Sequence, residues 1–150
     1  MKKLILALTV LALSSPASAS ENLCARARVA FQLGLTYWHV AYDETIRTGD
    51  PVEVVVKYRQ GNGRYGRRVD VTFSLSPLLV ETANQSVMTL ALARDVAVEG
   101  TPHSEFTTET AFALLPGERQ TWANRFSLGL QRQAFRVEIS NVHACESTQD

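Results

Sequence analysis

The stretch VEVVVKYRQGNGRYGRRVDVTFSL, residues 52–75, decides the fold class. Val52, Val54, Val56 and Tyr58 recur at every second position, with Glu53, Lys57 and Arg59 between them. Side chains of an extended strand alternate between its two faces, so this period turns one apolar face inward and one charged face outward. Gly61-Asn62-Gly63 follows, and these residue types tolerate the positive φ that a tight reversal needs. Beyond the reversal Tyr65, Val69, Val71, Phe73 and Leu75 fall on one face, with Arg68, Asp70, Thr72 and Ser74 opposite. The stretch is a β-hairpin.

Outward from it the same period repeats. Ala25, Ala27, Val29, Phe31, Leu33 and Leu35 share one face of a first strand, against Arg26, Arg28, Gln32 and Thr36 on the other. Tyr37 to Tyr42 continue as a second extended, aromatic piece, a loop is expected through Asp43-Glu44, and Thr48-Gly49-Asp50-Pro51 forms a turn. Downstream, Pro77 is expected to end the second strand of the hairpin. Val87 to Ala93 make another strand with Met88, Leu90 and Leu92 in phase, although Ala91 to Val98 also fit a helical turn. Gly100-Thr101-Pro102 is a turn, and Phe106 to Leu115 read as a strand ending at Pro116-Gly117-Glu118. Trp122, Phe126, Leu128 and Leu130 alternate next, then Phe135, Val137 and Ile139. Roughly seven to nine short strands, broken by Gly/Pro turns about every dozen residues, predict an all-β, immunoglobulin-like two-sheet β-sandwich. A small closed β-barrel is the alternative. The Cys-Trp-Cys arrangement of antibody domains is missing.

The ends carry a different signature. Lys2 and Lys3 precede an apolar run from Leu4 to Leu13, and Ser14, Ser15 and Pro16 close it ahead of Ala17-Ser18-Ala19. This is the charged, apolar and small-residue order of a secretory signal peptide, assigned to residues 1–19 with cleavage after Ala19. The run is shorter than the roughly 20 apolar residues of a membrane-spanning helix. Glu21-Asn22-Leu23 before Cys24 lack the small residue and large apolar residue that lipoprotein processing needs. Residues 20–150 form one domain, long enough to bury its own core. Cys24 and Cys145 flank that domain, and an even cysteine count in an exported chain reads as a disulfide. Their spacing excludes a Cys-x-x-Cys redox site. The destination is periplasmic or secreted.

Basic and acidic residues number 15 each. Removal of Lys2 and Lys3 with the leader tips the remainder slightly acidic, which excludes a global attraction to nucleic acid or to an anionic membrane. No second long apolar stretch exists, so the processed chain does not span a membrane. Any electrostatic partner must be met locally, and the hairpin offers the place. Lys57, Arg59, Arg64, Arg67 and Arg68 crowd together with no carboxylate between Glu53 and Asp70, and Tyr58 and Tyr65 lie among them. Guanidinium forks beside aromatic faces grip phosphates, carboxylates or acidic polysaccharide. The plain alternative is a solvated edge whose arginines keep other strands away.

Catalytic signals are weak. His39, His103 and His143 are scattered, and a metal site needs several ligands converging, so neither a metal nor another cofactor is expected. No Gly-x-Ser-x-Gly elbow occurs. Asp43-Glu44 and Glu105 with Glu109 are carboxylate pairs of the sort that surface loops carry without chemistry. The expectation is a non-catalytic binding or assembly module of the periplasm or cell surface, such as a fibre or pilus accessory or subunit. Its partner would be an envelope or extracellular protein or an acidic glycan. A secreted inhibitor of a protease or lysozyme, presenting Gly61-Asn62-Gly63, is one alternative; a small metal-binding or enzymatic domain is another.

Overall fold

Strand-forming residues at alternating positions do build strands almost throughout. The computed structural model describes residues 21–61 and 63–146. The signal peptide assigned to residues 1–19 lies outside the described residues, as do Ser20, Asn62 and residues 147–150. Nine strands follow in order: β1 (Leu23–Leu33), β2 (His39–Arg47), β3 (Val52–Gln60), β4 (Arg67–Glu81), β5 (Ser86–Val98), β6 (Thr101–Pro102), β7 (Thr108–Leu114), β8 (Gln120–Leu128) and β9 (Gln131–Ala144). They form two antiparallel sheets, β2-β1-β9-β8 and β3-β4-β5-β7, with the short β6 beside β7 on the β5 edge. The sheets pack face to face and do not close into a barrel. This is the two-sheet β-sandwich.

The inward positions of the two sheets meet in one core. Ala25, Ala27, Val29, Phe135, Val137 and Ile139 come from the first sheet; Val69, Val71, Phe73, Leu75, Leu90 and Leu92 come from the second. Phe73 of β4 meets Phe135 of β9 across the layers with ring centroids 5.4 Å apart, and Phe135 stacks on Phe126 at 5.5 Å. The hairpin read in the sequence is present with Val56 opposite Val71 and Tyr58 opposite Val69.

Five expectations are corrected. Asp43 and Glu44 do not form a loop but lie in β2, paired with Arg28 and Ala27 of β1. Ala91 to Val98 lie in β5 and are not helical. Pro77 does not break β4, which runs on to Glu81. β3 ends its pairing at Val52 opposite Leu75, so beyond that point β4 has only β5 as a neighbour. The Pro77 carbonyl accepts from the Gly49 N–H at 2.8 Å on the side that β3 has left. In an antiparallel strand a residue's N–H points the same way as its C=O, so the missing donor costs no ladder bond. Leu35 and Leu130 leave the faces assigned to them, because both stand in turns and not in strands. Tyr65 likewise lies in a 3-10 turn, Gly63–Tyr65, and is exposed.

The two ends of the sandwich differ. At one end Cys24 is bridged to Cys145, joining adjacent strands β1 and β9 where Leu23 pairs with Ala144. Thr48 closes that end, donating its N–H to the Leu23 carbonyl and accepting the Leu23 N–H on Oγ1. At the opposite end stand the β1–β2, β3–β4, β5–β6 and β8–β9 turns. This far end is the hairpin-tip end.

Candidate functional site

Three of these turns are tied to one another. Gly34, following β1, donates its N–H to the Arg132 carbonyl of β9 at 2.9 Å, and the Gln60 side-chain amide of β3 donates to the Leu128 carbonyl of β8. Between them opens a cleft of about 730 Å³ lined by Gly34, Leu35, Gln60, Gly61, Leu130 and Arg132 among others. The local sequence explains each reversal. β8 and β9 join through Gly129-Leu130 alone, with Gly129 at φ +60°, the left-handed start of a two-residue hairpin turn. Leu130 at the second position then has nowhere to point but outward.

The tips carry apolar side chains into solvent. Leu130 is 108 % exposed, Leu35 104 %, Tyr65 94 % and Tyr37 85 %. These values mean that the side chains bury essentially nothing on their own chain. Trp38, half-exposed beside Tyr37, lies under the Arg136 guanidinium at 4.8 Å from its ring centroid. Scattered exposed leucines are ordinary on any surface; four such side chains on three adjoining turns are not.

Charge at this end is mainly positive. No acidic residue occurs in residues 31–42, 54–69 or 119–137, the three stretches that run out to these tips. Arg64, Arg67 and Arg132 are exposed there and pair with no carboxylate among the described residues. Arg67 touches only the Gln60 amide oxygen, at 3.5 Å. The carboxylates nearby are Glu99 of the β5–β6 turn, which accepts the Arg68 backbone N–H, and Asp70 further along β4.

The sequence-chosen hairpin residues divide accordingly. Arg64, Tyr65 and Arg67 stand on the tip. Lys57 and Arg59 face outward along β3, Lys57 paired in register with Asp70 and Arg59 donating to the Gly66 carbonyl at 3.2 Å. Arg68 lies 3.8 Å from the Asp70 carboxylate, which offsets part of its charge. Tyr58 turns into the sandwich, where its hydroxyl is buried with no partner among the described residues. Burial pushes that phenol far above its usual range, and the nearby Arg94 charge only partly opposes the shift. The β3–β4 reversal is a closed turn and not an extended loop: a Cβ at Gly61 would stand 3.4 Å from the Gly66 Cα.

Sequence reasoning missed Leu35, Tyr37, Trp38, Leu130 and Arg132. The Gly34-Leu35 and Gly129-Leu130 pairs were the available signal, since a glycine within an alternating run marks a reversal. It also missed Arg94, a buried arginine of β5. Arg94 donates through Nε and a terminal nitrogen to the Phe106 carbonyl, at 3.2 and 2.7 Å, donates to Asn124 Oδ1, and lies 4.8 Å over the Phe126 ring.

The three histidines and Asp43 are locally occupied. His103 contacts Glu105 at 2.9 Å, His143 meets the Asn141 carbonyl at 2.6 Å, and His39 stacks on Phe31. Asp43 accepts two bonds from Arg26 at 2.6 and 2.8 Å. Among the described residues no three His, Cys, Asp or Glu side chains converge as a metal cage would require. No helix of the described residues is long and apolar enough to cross a membrane. No family model, no curated protein and no solved structure matches this chain.

Proposed function

We propose that the protein is an exported, non-catalytic binding or assembly module of the periplasm or cell surface that makes its contact through the hairpin-tip end. The observation that carries this reading is the meeting of unpaired arginines and fully exposed apolar side chains on three adjoining turns. A stable monomer gains nothing from such side chains, since they neither fill the core nor pair with neighbours. The leader read in residues 1–19 and the Cys24–Cys145 disulfide support export, because disulfides persist in oxidising compartments. A partner at this end must offer negative charge: the acidic surface of an envelope protein, an acidic glycan or an anionic assembly. Guanidinium groups with no internal carboxylate keep their full capacity for bidentate bonds to such groups.

Polyanion chromatography tests the reading. The processed protein is expected to be held on a heparin column and released by salt, because exposed charge is screened over roughly 10 Å at 0.1 M. The Arg64→Glu/Arg67→Glu variant is expected to elute earlier. Elution of both proteins in the flow-through, or at the same salt, overturns the assignment of the tip as an anion-contacting surface.

A further inference from the structure

From this reading of the tip end we infer its partner: the hairpin tips dock onto the surface of an anionic phospholipid bilayer, with Leu35, Tyr37, Tyr65 and Leu130 entering the headgroup–acyl boundary and Arg64, Arg67 and Arg132 on the lipid phosphates. The inference rests on the tip being the contact surface and names what it touches.

Three observations favour a bilayer over an acidic protein or glycan. The apolar side chains stand on three separate turns, with Leu35 and Leu130 lining an open cleft. A protein partner would need a matched pocket for each apex and a filling for the cleft, whereas fluid lipid closes around projecting groups without prior shape. An acidic glycan would satisfy the arginines but leave two leucines in water. The residue types also fit the boundary itself. Tyr37, Trp38 and Tyr65 have an apolar body and a polar tip, and arginine stems lie along apolar surface while their heads reach phosphate. Finally, the charge pattern is directional. Stretches 31–42, 54–69 and 119–137 lack carboxylates as they approach this end, while Asp43, Glu53, Asp70, Glu118 and Glu138 stand where those stretches stop and Glu99 is the single carboxylate of the β5–β6 turn. An anionic surface therefore attracts the tip and repels the other end, orienting the molecule upright.

Both components are needed because neither is strong alone. A few arginines give adsorption that salt removes, and a few exposed leucines and tyrosines give partitioning that is not selective for charge. Together they make reversible peripheral binding.

The test is co-sedimentation of the processed protein with sonicated vesicles. Wild type is expected to pellet with an equimolar phosphatidylglycerol–phosphatidylcholine mixture and to stay in solution with phosphatidylcholine alone. Leu35→Ser/Leu130→Ser should weaken binding about tenfold or more, since burying one leucyl side chain changes a partition constant by roughly that factor. Arg64→Glu/Arg67→Glu/Arg132→Glu should weaken it at least as much, and the wild-type interaction should fall as salt rises from about 0.1 to about 0.5 M. All changed positions are exposed and lie in turns or at the ends of strands, and a circular dichroism spectrum matching wild type confirms that each variant is folded. Wild type remaining in the supernatant with anionic vesicles overturns the inference. So does full binding by the leucine variant, which would indicate simple polyanion adsorption. If vesicles are ignored while heparin is still held through Arg64 and Arg67, the lipid assignment fails and the tip remains a binding surface for a glycan or protein. If heparin is ignored as well, the tip assignment fails with it.

Discussion

Arg94 is the residue that most departs from what an alternating strand implies. Its position on β5 is inward, where aliphatic side chains are the rule, and its charge has no carboxylate partner among the described residues. Burial draws its pKa below the ordinary value, yet guanidinium groups stay protonated in proteins. The charge is tolerated because it is spread over the Phe106 carbonyl, the Asn124 side chain and the Phe126 ring, which join β5, the Ser104–Phe106 turn and β8. Truncation by Arg94→Ala leaves two acceptors unpaired and a void, and is expected to cost about 2–4 kcal/mol in urea unfolding. An exposed control, Arg64→Ala, should stay within about 0.5 kcal/mol of wild type. Gln133 is the opposite case. It is fully buried on β9, and neither its amide oxygen nor its nitrogen has a partner among the described residues. Gln133→Met keeps the length and removes both unsatisfied atoms, so stability should rise by about 1–2 kcal/mol. A fall would mean that water satisfies the amide. Neither residue was legible in the sequence, because a single polar side chain at an inward position does not disturb a period of two.

Ion pairs at the residue scale fix the acid limb of stability. The Arg26 guanidinium beside Asp43 holds that carboxyl below its usual range, and Arg119 does the same for Glu138. A carboxyl with a lowered folded pKa stabilises fully above its unfolded value and loses that contribution as pH falls through the folded one. Unfolding midpoints should therefore be flat above about pH 5 and decline below about pH 4. Asp43→Asn/Glu138→Gln should flatten the decline; an unchanged slope would assign it to other carboxyls.

Elements show where period alone suffices and where it fails. The β3–β4 hairpin was legible because its alternation, its turn residues and its two faces agree with one another from Val52 to Leu75. β2 was read only as an aromatic extended piece. Its pairing with β1 slips between Val29 and Ala30, passing over Ala41, and a one-residue bulge exchanges the faces on either side. No periodic reading survives that. Pro77 was misread because the rule against proline in sheets concerns positions with neighbours on both sides, and the end of β3 is set by the tertiary fold. Leu35 and Leu130 were misread for a simpler reason. Alternation was carried through Gly34 and Gly129, and a glycine at positive φ ends a strand face.

At the scale of the whole molecule, the sandwich is a rod with unlike ends. The disulfide clamps the first strand to the last at one end, and the proposed contact surface stands at the other. In the chain-entropy view, a bridge closing 121 residues of separation contributes at most about 5 kcal/mol. Reduction should lower the urea midpoint while leaving a β-type circular dichroism spectrum, because the β1–β9 ladder continues to Leu33 without it. Binding through the tips should be unchanged under the same conditions. The clamp was legible from an even cysteine count in a chain read as exported. The tip surface was half legible: Arg64 and Arg67 lie close together in sequence, but Leu35 and Leu130 come from turns about 95 residues apart that only the tertiary fold brings together.

Site-specific photo-crosslinking in living cells tests the contact surface most directly, with a benzophenone side chain placed at Leu130 on the tips or at Gln85 in the β4–β5 turn. Adducts with an envelope component from position 130 and none from position 85 are expected. Adducts from position 85 alone, or from neither, contradict the assignment of function to the hairpin tips.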